Sequence, residues 1–324
     1  MQRRKFLTNT SKFTLLSSLS PMGIFLGSAQ TISPIRVIID ADTANEVDDL
    51  YAIAWALLEP KLEVVGLTSA QWHTNPRTPN DSVGESQRLN KEILELLGKT
   101  EIPAPQGSNF PMVSEQRPQP SAAANFIIEK AMATPEGEKL SIVILGPCTN
   151  IASAILIEPK IIPKLSVNYL GFWFEPETNT WSKREFNTNN DPNAVNAILN
   201  TANLEVRVMT ATTSQHLVFE KTVMDTLLKN RGGIGDYLID RWETYDRFWQ
   251  ETDKEKTKWI MWDVAILEAL AYPELATQKE VVTPHDNLNR TIKVYTKIEV
   301  PAMKANFEKA LDGFLNKLGE ERKK

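Results

Sequence analysis

Residues 35–49 read Ile35-Arg-Val-Ile-Ile-Asp-Ala-Asp-Thr-Ala-Asn-Glu-Val-Asp-Asp49, an apolar run that passes into five acidic residues. A β-branched run without turn residues is typical of a strand that is covered on both faces. The periodicity of residues 46–58 then predicts a helix. The acidic group therefore lies at the carboxyl end of a buried strand, the edge where open α/β sheets bind their ligands.

This acidic group favours a bound cation. Carboxylates held close together repel one another, so the arrangement is stable only if some are protonated or a positive ion joins them. Hard oxygen donors suit calcium or magnesium better than zinc, and the three histidines and single cysteine of the chain are too scattered for a soft-metal site. The alternative is that Asp48 and Asp49 only fill a first helical turn, where negative charge complements the helix dipole.

Strand and helix patterns alternate along the chain. Strands are predicted at 62–69, 140–145, 165–172 and 204–209, and helices at 82–97, 122–132, 149–157 and 192–199. This order predicts an α/β fold with a mostly parallel central sheet and helices on both faces, in an open Rossmann-like arrangement. Helices dominate from residue 221, where one is predicted at 235–249. A hairpin-like pair at 279–282 and 291–300 and an amphipathic helix at 302–318 follow.

The amino terminus is typical of an exported protein. Adjacent Arg3 and Arg4 precede the apolar segment 13–26, and small residues at 27–29 offer a cleavage site. This resembles a twin-arginine signal peptide, so we expect residues 1–29 to be removed and residues 30–324 to form one α/β domain in the bacterial periplasm or outside the cell. No stable membrane anchor would remain after cleavage. The alternative is a basic, disordered terminus.

The charge of the mature chain limits its partners. Residues 1–29 contain four basic residues and no acidic one, so their removal changes the net charge from −5 to −9. An acidic body argues against nucleic acid as a partner. Cys148 alone cannot form an internal disulfide. Association into a homo-oligomer is compatible with the sequence.

Three further segments reach the same edge if the sheet is parallel. Gly146-Pro-Cys-Thr-Asn-Ile-Ala152 directly follows a predicted strand. The loop segment Glu185-Phe-Asn187, followed by Asp191-Pro192, offers side chains that suit sugar hydroxyls. Trp262-Asp263 opens an apolar helix. Each segment is also compatible with a capped strand-to-helix turn, so the convergence is the informative observation.

In this order the four motifs resemble those of the inosine–uridine-type nucleoside hydrolases, over nearly all of residues 34–275, and Asn45-Glu46 is similar to the loop of a bacterial branch. The resemblance implies calcium-dependent hydrolysis of the N-glycosidic bond of ribonucleosides to free base and ribose, by a metal-bound water. It also implies site residues: Asp42, Asp49, Asp263 and the backbone carbonyl of Thr149 for calcium, Asp42 also as general base, Asp48, Glu185 and Asn187 for the ribose, and Asn179, six residues before Glu185, beneath the sugar ring.

Two departures from the family pattern concern the substrate. Many members have a histidine where this chain has Trp262, and a tryptophan that stacks on the base favours a purine; the alternative is an ordinary core tryptophan. Ser69-Ala-Gln-Trp-His73 lacks the usual glycine–asparagine pair that touches the ribose. Gln71, Trp72 or His73 is expected to take over part of that role.

Two other functions compete with hydrolysis of nucleosides. A haloacid-dehalogenase-like phosphatase would use Asp40 and Asp42 after the first strand, but Ala44 stands where that family has threonine or valine. An exported protein that binds nucleosides or sugars without cleaving them, or an inactive descendant, is the second alternative. It rests on the altered segment at residues 69–73.

Overall fold

A seven-stranded sheet forms the centre of the protein in its computed structural model, which describes residues 33–74, 78–247 and 250–322. The predicted export signal, residues 1–29, lies outside the described residues. The strands along the chain are β1 Ile35–Ala41, β2 Leu62–Ser69, β3 Leu140–Ile144, β4 Leu165–Leu170, β5 Trp173–Glu175, β6 Thr180–Ser182, β7 Glu205–Met209, β8 Val218–Glu220, β9 Lys258–Ile260, β10 Ala276–Val282 and β11 Thr291–Ile298.

The strand order in the central sheet is β10-β11-β7-β4-β3-β1-β2. Every neighbouring pair is parallel except β10 and β11, which run antiparallel at one edge. The prediction of an α/β fold with a mostly parallel sheet is therefore confirmed. Parallel strands end at one edge, so the loops after β1, β3 and β4 come together there.

Helices cover the sheet and define two apolar layers. They are α1 Asp48–Leu58, α2 Ser82–Leu96, α3 Ala122–Met132, α4 Thr149–Ile157, α5 Phe186–Asn190, α6 Pro192–Leu199, α7 Ala211–Ser214, α8 Lys221–Leu228, α9 Ile234–Thr244, α10 Trp262–Ala271 and α11 Val300–Glu321. None of the helices within the described ranges is both long and apolar enough to span a bilayer. The described residues from Pro34 onward belong to one compact unit.

Strand β1 shows why the layers form. Val37 and Ile39 point into the core shared with α1 and α10, whereas Ile38 points into the core on the other face. Successive side chains of a strand face opposite sides of the sheet, and each of these three is fully buried. Burial of one such side chain stabilises the fold by about 1.5–3 kcal/mol, which explains the unbroken apolar run.

The carboxyl-terminal half differs from prediction in two ways. The predicted hairpin is present as β10 and β11, but β11 also pairs in parallel with β7 and so extends the central sheet. The helix predicted at 235–249 ends at Thr244. The next residue, Tyr245, is extended, and its hydroxyl donates a hydrogen bond to the carbonyl of Asn45. These are long-range pairings, which local periodicity does not report.

Candidate active site

A cavity of about 420 Å³ opens at the carboxyl edge of the sheet. Its lining combines acidic residues with apolar and aromatic ones. Its lining residues are Asp42, Asn45, Glu46, Asp48, Asp49, Thr74, Leu145, Leu170, Trp173, Glu185, Phe186, Asn187, Ala211, Trp262 and Asp263. The first and last predicted motifs, more than 200 residues apart in the chain, thus meet in one cavity. It suits a ligand with a hydroxyl-rich part and a flat apolar part.

Two helix starts bring the carboxylates together. Helix α1 begins at Asp48 and α10 begins at Trp262, and the two helices pack against each other. Oxygens of Asp48, Asp49 and Asp263 lie within 4.8 Å of one another, and the backbone N–H of Asp263 donates to Asp48 Oδ2 at 3.2 Å. With Asp42, which lines the same cavity, they form a cluster of four carboxylates, each at most 3% exposed.

Burial and mutual repulsion raise the pKa of these carboxyl groups. Burial is the main cause for Asp42, and the negative charges of Asp49 and Asp48 add to it. The pKa of Asp48 is raised to about 7 by burial, although backbone N–H groups, including that of Asp263, hold it lower than burial alone would. Asp49 and Asp263 are shifted in the same direction, again mainly by burial. The cluster therefore resists carrying four negative charges by itself.

A cation fits this cluster. Asp42 Oδ2 and Asp49 Oδ1 are buried and accept no hydrogen bond from the described residues. The charge of Arg241 counteracts the raised pKa of Asp49, but its Nε and Nη2 donate to the backbone carbonyls of Ala44 and Glu46. Buried unpaired carboxylate oxygens are costly, and a hard divalent ion would satisfy them.

The structure does not bring Thr149 to the cavity. Its carbonyl accepts a hydrogen bond from Ser153 Oγ at 2.7 Å, and its hydroxyl donates to Asp191 Oδ2 at 2.7 Å. It sits inside the first turn of α4, where carbonyls point along the helix. Leu145, four residues earlier at the end of β3, lines the cavity instead. The motif alone did not reveal where this helix starts, and that position decides which of the two residues reaches the cavity.

Glu185 and Asn187 do lie in the cavity, held by hydrogen bonds. Glu185 caps α5, because Oε1 accepts from the backbone N–H of Asn187, and Oε2 accepts from those of Thr188 and Phe172. Asn187 Nδ2 donates to the carbonyls of Leu145 at 2.6 Å and Leu170 at 3.1 Å. Both donor hydrogens of this amide are thus in use, which leaves its oxygen for a ligand.

Asn179 is not part of this cavity. It lies exposed in the turn between β5 and β6 with a positive φ of 52°, a conformation that asparagine tolerates. It lines a different cavity, together with Trp181 and His285. The spacing from Glu185 matches the family pattern, but here the intervening residues form a hairpin that carries Asn179 away from the carboxylates. The sequence did not predict this hairpin.

The segment 69–73 also lies beside the cavity rather than in it. Gln71 is buried, and its Nε2 donates to Thr149 Oγ1 at 3.2 Å. Trp72 lines a neighbouring cavity with Asn45. The backbone N–H of His73 donates to Asn190 Oδ1 at 2.5 Å, and its ring stacks on Phe110. The structure therefore gives these side chains supporting contacts.

Asp40 is unsuited to the phosphatase chemistry considered above. It is fully buried and does not line the cavity. Its Oδ1 accepts hydrogen bonds from Thr68 Oγ1 at 2.6 Å and Asn150 Nδ2 at 2.9 Å. Burial raises its pKa to about 6 against the effect of both bonds. A nucleophile needs access to its substrate, so the geometry speaks against this alternative.

Glu46 and Trp173 are among the cavity residues that were not singled out in the sequence. Glu46 was counted only as part of the acidic run, but its Oε1 accepts a hydrogen bond from Trp259 Nε1 at 2.8 Å, which holds its side chain at the lining. Trp173 follows the end of β4 and packs edge to face against Trp262, with ring centroids 6.0 Å apart. An aromatic residue after a strand is weak evidence in sequence, because most such residues belong to the core.

Comparisons with known proteins show which proteins this chain is similar to. The family model described as "Inosine-uridine preferring nucleoside hydrolase" matches residues 37–309. A probable uridine nucleosidase 1 of Oryza sativa subsp. japonica is 27% identical over 281 residues, covering 79% of this chain and 83% of that protein. Two solved structures, a plant nucleoside hydrolase and a purine-preferring ribonucleoside hydrolase from Gardnerella vaginalis, have TM-scores of 0.68 at 21% and 20% identity; each aligns over 86% of this chain and 99% of its own. These two show the shared fold.

Proposed function

The chain belongs to the inosine-uridine preferring nucleoside hydrolase family and is a hydrolase of ribonucleosides that releases base and ribose; we propose that its activity depends on calcium and favours purine nucleosides. The observation that carries the proposal is that a buried carboxylate cluster and two tryptophans, Trp173 and Trp262, line one cavity. A nucleoside has the same two-part character, with a hydroxyl-rich ribose and a flat base.

Asp42, Asp49 and Asp263 would hold the ion, and the backbone carbonyl of Leu145 replaces that of Thr149 in this proposal. Leu145 lines the cavity, and its carbonyl accepts one hydrogen bond from Asn187, which leaves a second lone pair for a cation. When bound, calcium would supply positive charge that orients sugar hydroxyls and makes a nearby water more acidic. The all-oxygen donor set fits calcium better than zinc.

The protein's own groups then serve the bond cleavage. A water oxygen forms a bond to C1′ while the C1′–N bond breaks, and Asp42, which lines the cavity and whose Oδ2 accepts no hydrogen bond from the described residues, accepts the proton of that water. Positive charge develops at C1′ and the ring oxygen, and the carboxylates and the Asn187 amide oxygen stabilise it. Asp48 and Glu185 bind ribose hydroxyls. The base leaves with its bonding electron pair and takes a proton.

The purine preference rests on Trp262. Trp262 is half-buried, packs against the apolar core beside α10 and lines the cavity, so its ring is within reach of a bound base. Stacking favours the larger face of a two-ring base. The names of several relatives point to uridine, so a nucleoside panel discriminates between the two classes.

The test is a panel of inosine, adenosine, guanosine, uridine and cytidine, scored for free base with and without chelator. We expect release of base that chelator abolishes and calcium restores, with higher kcat/KM for purines. Asp42→Asn should lose at least about 10³-fold in kcat, because general acid–base catalysis contributes about 10²–10⁴-fold and an ion ligand is lost too. Turnover that chelator leaves unchanged would contradict the calcium proposal, and a pyrimidine preference would contradict the purine one.

A further inference from the structure

We infer that Trp173 is a specificity-determining residue, which forms with Trp262 an aromatic corner that selects nucleosides with a two-ring base. This inference rests on the proposed function, since it concerns the base end of the same cavity. Nothing in the sequence motifs assigns a role to Trp173, which lies outside all four of them. Its assignment comes from the contacts of the β5–β6 hairpin.

The two indoles form a right-angled corner. Their planes meet at 89°, their centroids are 6.0 Å apart, and both line the cavity. A planar base lying against one indole face would meet the second indole edge to face, and both arrangements are attractive for aromatic rings. A two-ring base reaches both walls at once more readily than a one-ring base. The corner therefore distinguishes bases by size and not by hydrogen bonding.

Trp173 is also more exposed than a core residue. Its side of β5 is open, with Trp173 38% exposed, whereas its neighbour Phe174 is 3% exposed. The buried side of the hairpin is packed, because the Phe174 ring lies 4.4 Å from that of Trp181, which in turn contacts Phe172. Strand alternation thus fixes Trp173 on the opposite side. A large exposed apolar ring at the cavity is the kind of surface that a ligand covers.

The backbone of the residue before Trp173 is strained, and its conformation helps to place Trp173 at the cavity. Phe172 has a φ of 64°, which is unusual for a bulky residue; this conformation costs on the order of 1–3 kcal/mol and persists only where the surroundings enforce it. The surroundings do enforce it, since its N–H donates to Glu185 Oε2 and Thr188 Oγ1, and its carbonyl accepts from Ala211. This left-handed residue turns the chain from β4 into β5. Glu185, a ribose-side residue, thereby sets the position of the base-side wall.

The experiment compares Trp173→Ala, Trp173→Phe and the wild type with adenosine and uridine as substrates. We expect Trp173→Ala to raise KM for adenosine about tenfold, the usual scale for loss of one base–aromatic stack, and to change KM for uridine by less than about threefold. Trp173→Phe should recover most of the adenosine affinity because it keeps an aromatic face. Glu175→Ala is the matched control, since Glu175 lies exposed on the same side of β5 and does not line the cavity.

The outcomes separate the two proposals. If the wild type is active and Trp173→Ala leaves the KM for adenosine unchanged, the inference alone is overturned. The same holds if Trp173→Ala raises the KM for adenosine and the KM for uridine equally, or if Glu175→Ala has the same effect as Trp173→Ala. A wild type that hydrolyses no nucleoside overturns the proposed function and this inference with it. Because Trp173 is partly exposed, we expect the variants to remain folded, and thermal unfolding checks this.

Discussion

Glu268 offers a sharp test of the packing between α1, α10 and α11. Its side chain is fully buried, Oε2 accepts one hydrogen bond from Asn306 Nδ2 at 3.3 Å, and Oε1 accepts none from the described residues. Burial raises the pKa of this carboxyl to about 9, and the nearby Glu59 charge adds to the shift. Glu268 is therefore protonated in the folded protein at neutral pH and ionised in the unfolded chain.

The direction of the pH effect follows from linkage. A carboxyl whose pKa is higher in the folded state binds more protons there than in the unfolded state, so stability is greatest below the ordinary pKa of 4.5 and falls as pH rises toward 9. While the folded state holds one more proton than the unfolded state, each pH unit changes the free energy of unfolding by about 1.4 kcal/mol. Between pH 5 and pH 8 the loss of stability is therefore about 4 kcal/mol. Allowing for local relaxation, we expect about 2 to 4 kcal/mol.

The perturbation is Glu268→Gln, which keeps the shape and the acceptor for Asn306 but cannot ionise. Urea unfolding at pH 5 and pH 8 gives the free energies, and the difference between variant and wild type cancels all other titrating groups. We expect the variant to gain about 2 to 4 kcal/mol over the wild type on going from pH 5 to pH 8. Glu95→Gln, an exposed change on α2, should show no such gain. A gain below about 1 kcal/mol would refute the conclusion that Glu268 is buried and uncharged in the folded protein.

The remaining predictions concern the cavity. Calcium at 100 times its Kd should raise the free energy of unfolding by about 2.7 kcal/mol, which a thermal-shift assay measures. Asp49→Asn should weaken this stabilisation at a given calcium concentration. Equal stabilisation of variant and wild type would contradict the assignment of Asp49 as a ligand. Arg241→Met removes hydrogen bonds to the carbonyls of Ala44 and Glu46 and should cost about 1.5–3 kcal/mol with a raised KM for nucleosides. Unchanged KM and stability would show that these bonds do not hold the acidic loop.

Local patterns identified most elements of the fold. The helices at 122–132, 149–157 and 192–199 and the strand at 62–69 coincide with the observed ones, because their periodicity and capping residues act within a few neighbours. The antiparallel pairs β5–β6 and β8–β9 were not predicted, since their strands are three residues long. The pairing of β11 with β7 joins segments more than 80 residues apart, a distance at which local periodicity carries no information.

For the site, the sequence by itself determined the chemistry. Clustered aspartates after a buried strand need protonation or a cation wherever the chain places them, because like charges in a low-dielectric interior are unstable alone. Asp42, Asp48, Asp49 and Asp263 meet as the motif order predicted. The tertiary structure decided which polar groups face that cluster. It placed Leu145 at the cavity instead of Thr149, withdrew Asn179 on a hairpin turn, and brought Trp173 to Trp262. These choices depend on where a helix starts and how a strained backbone turns, and packing across the whole fold sets both.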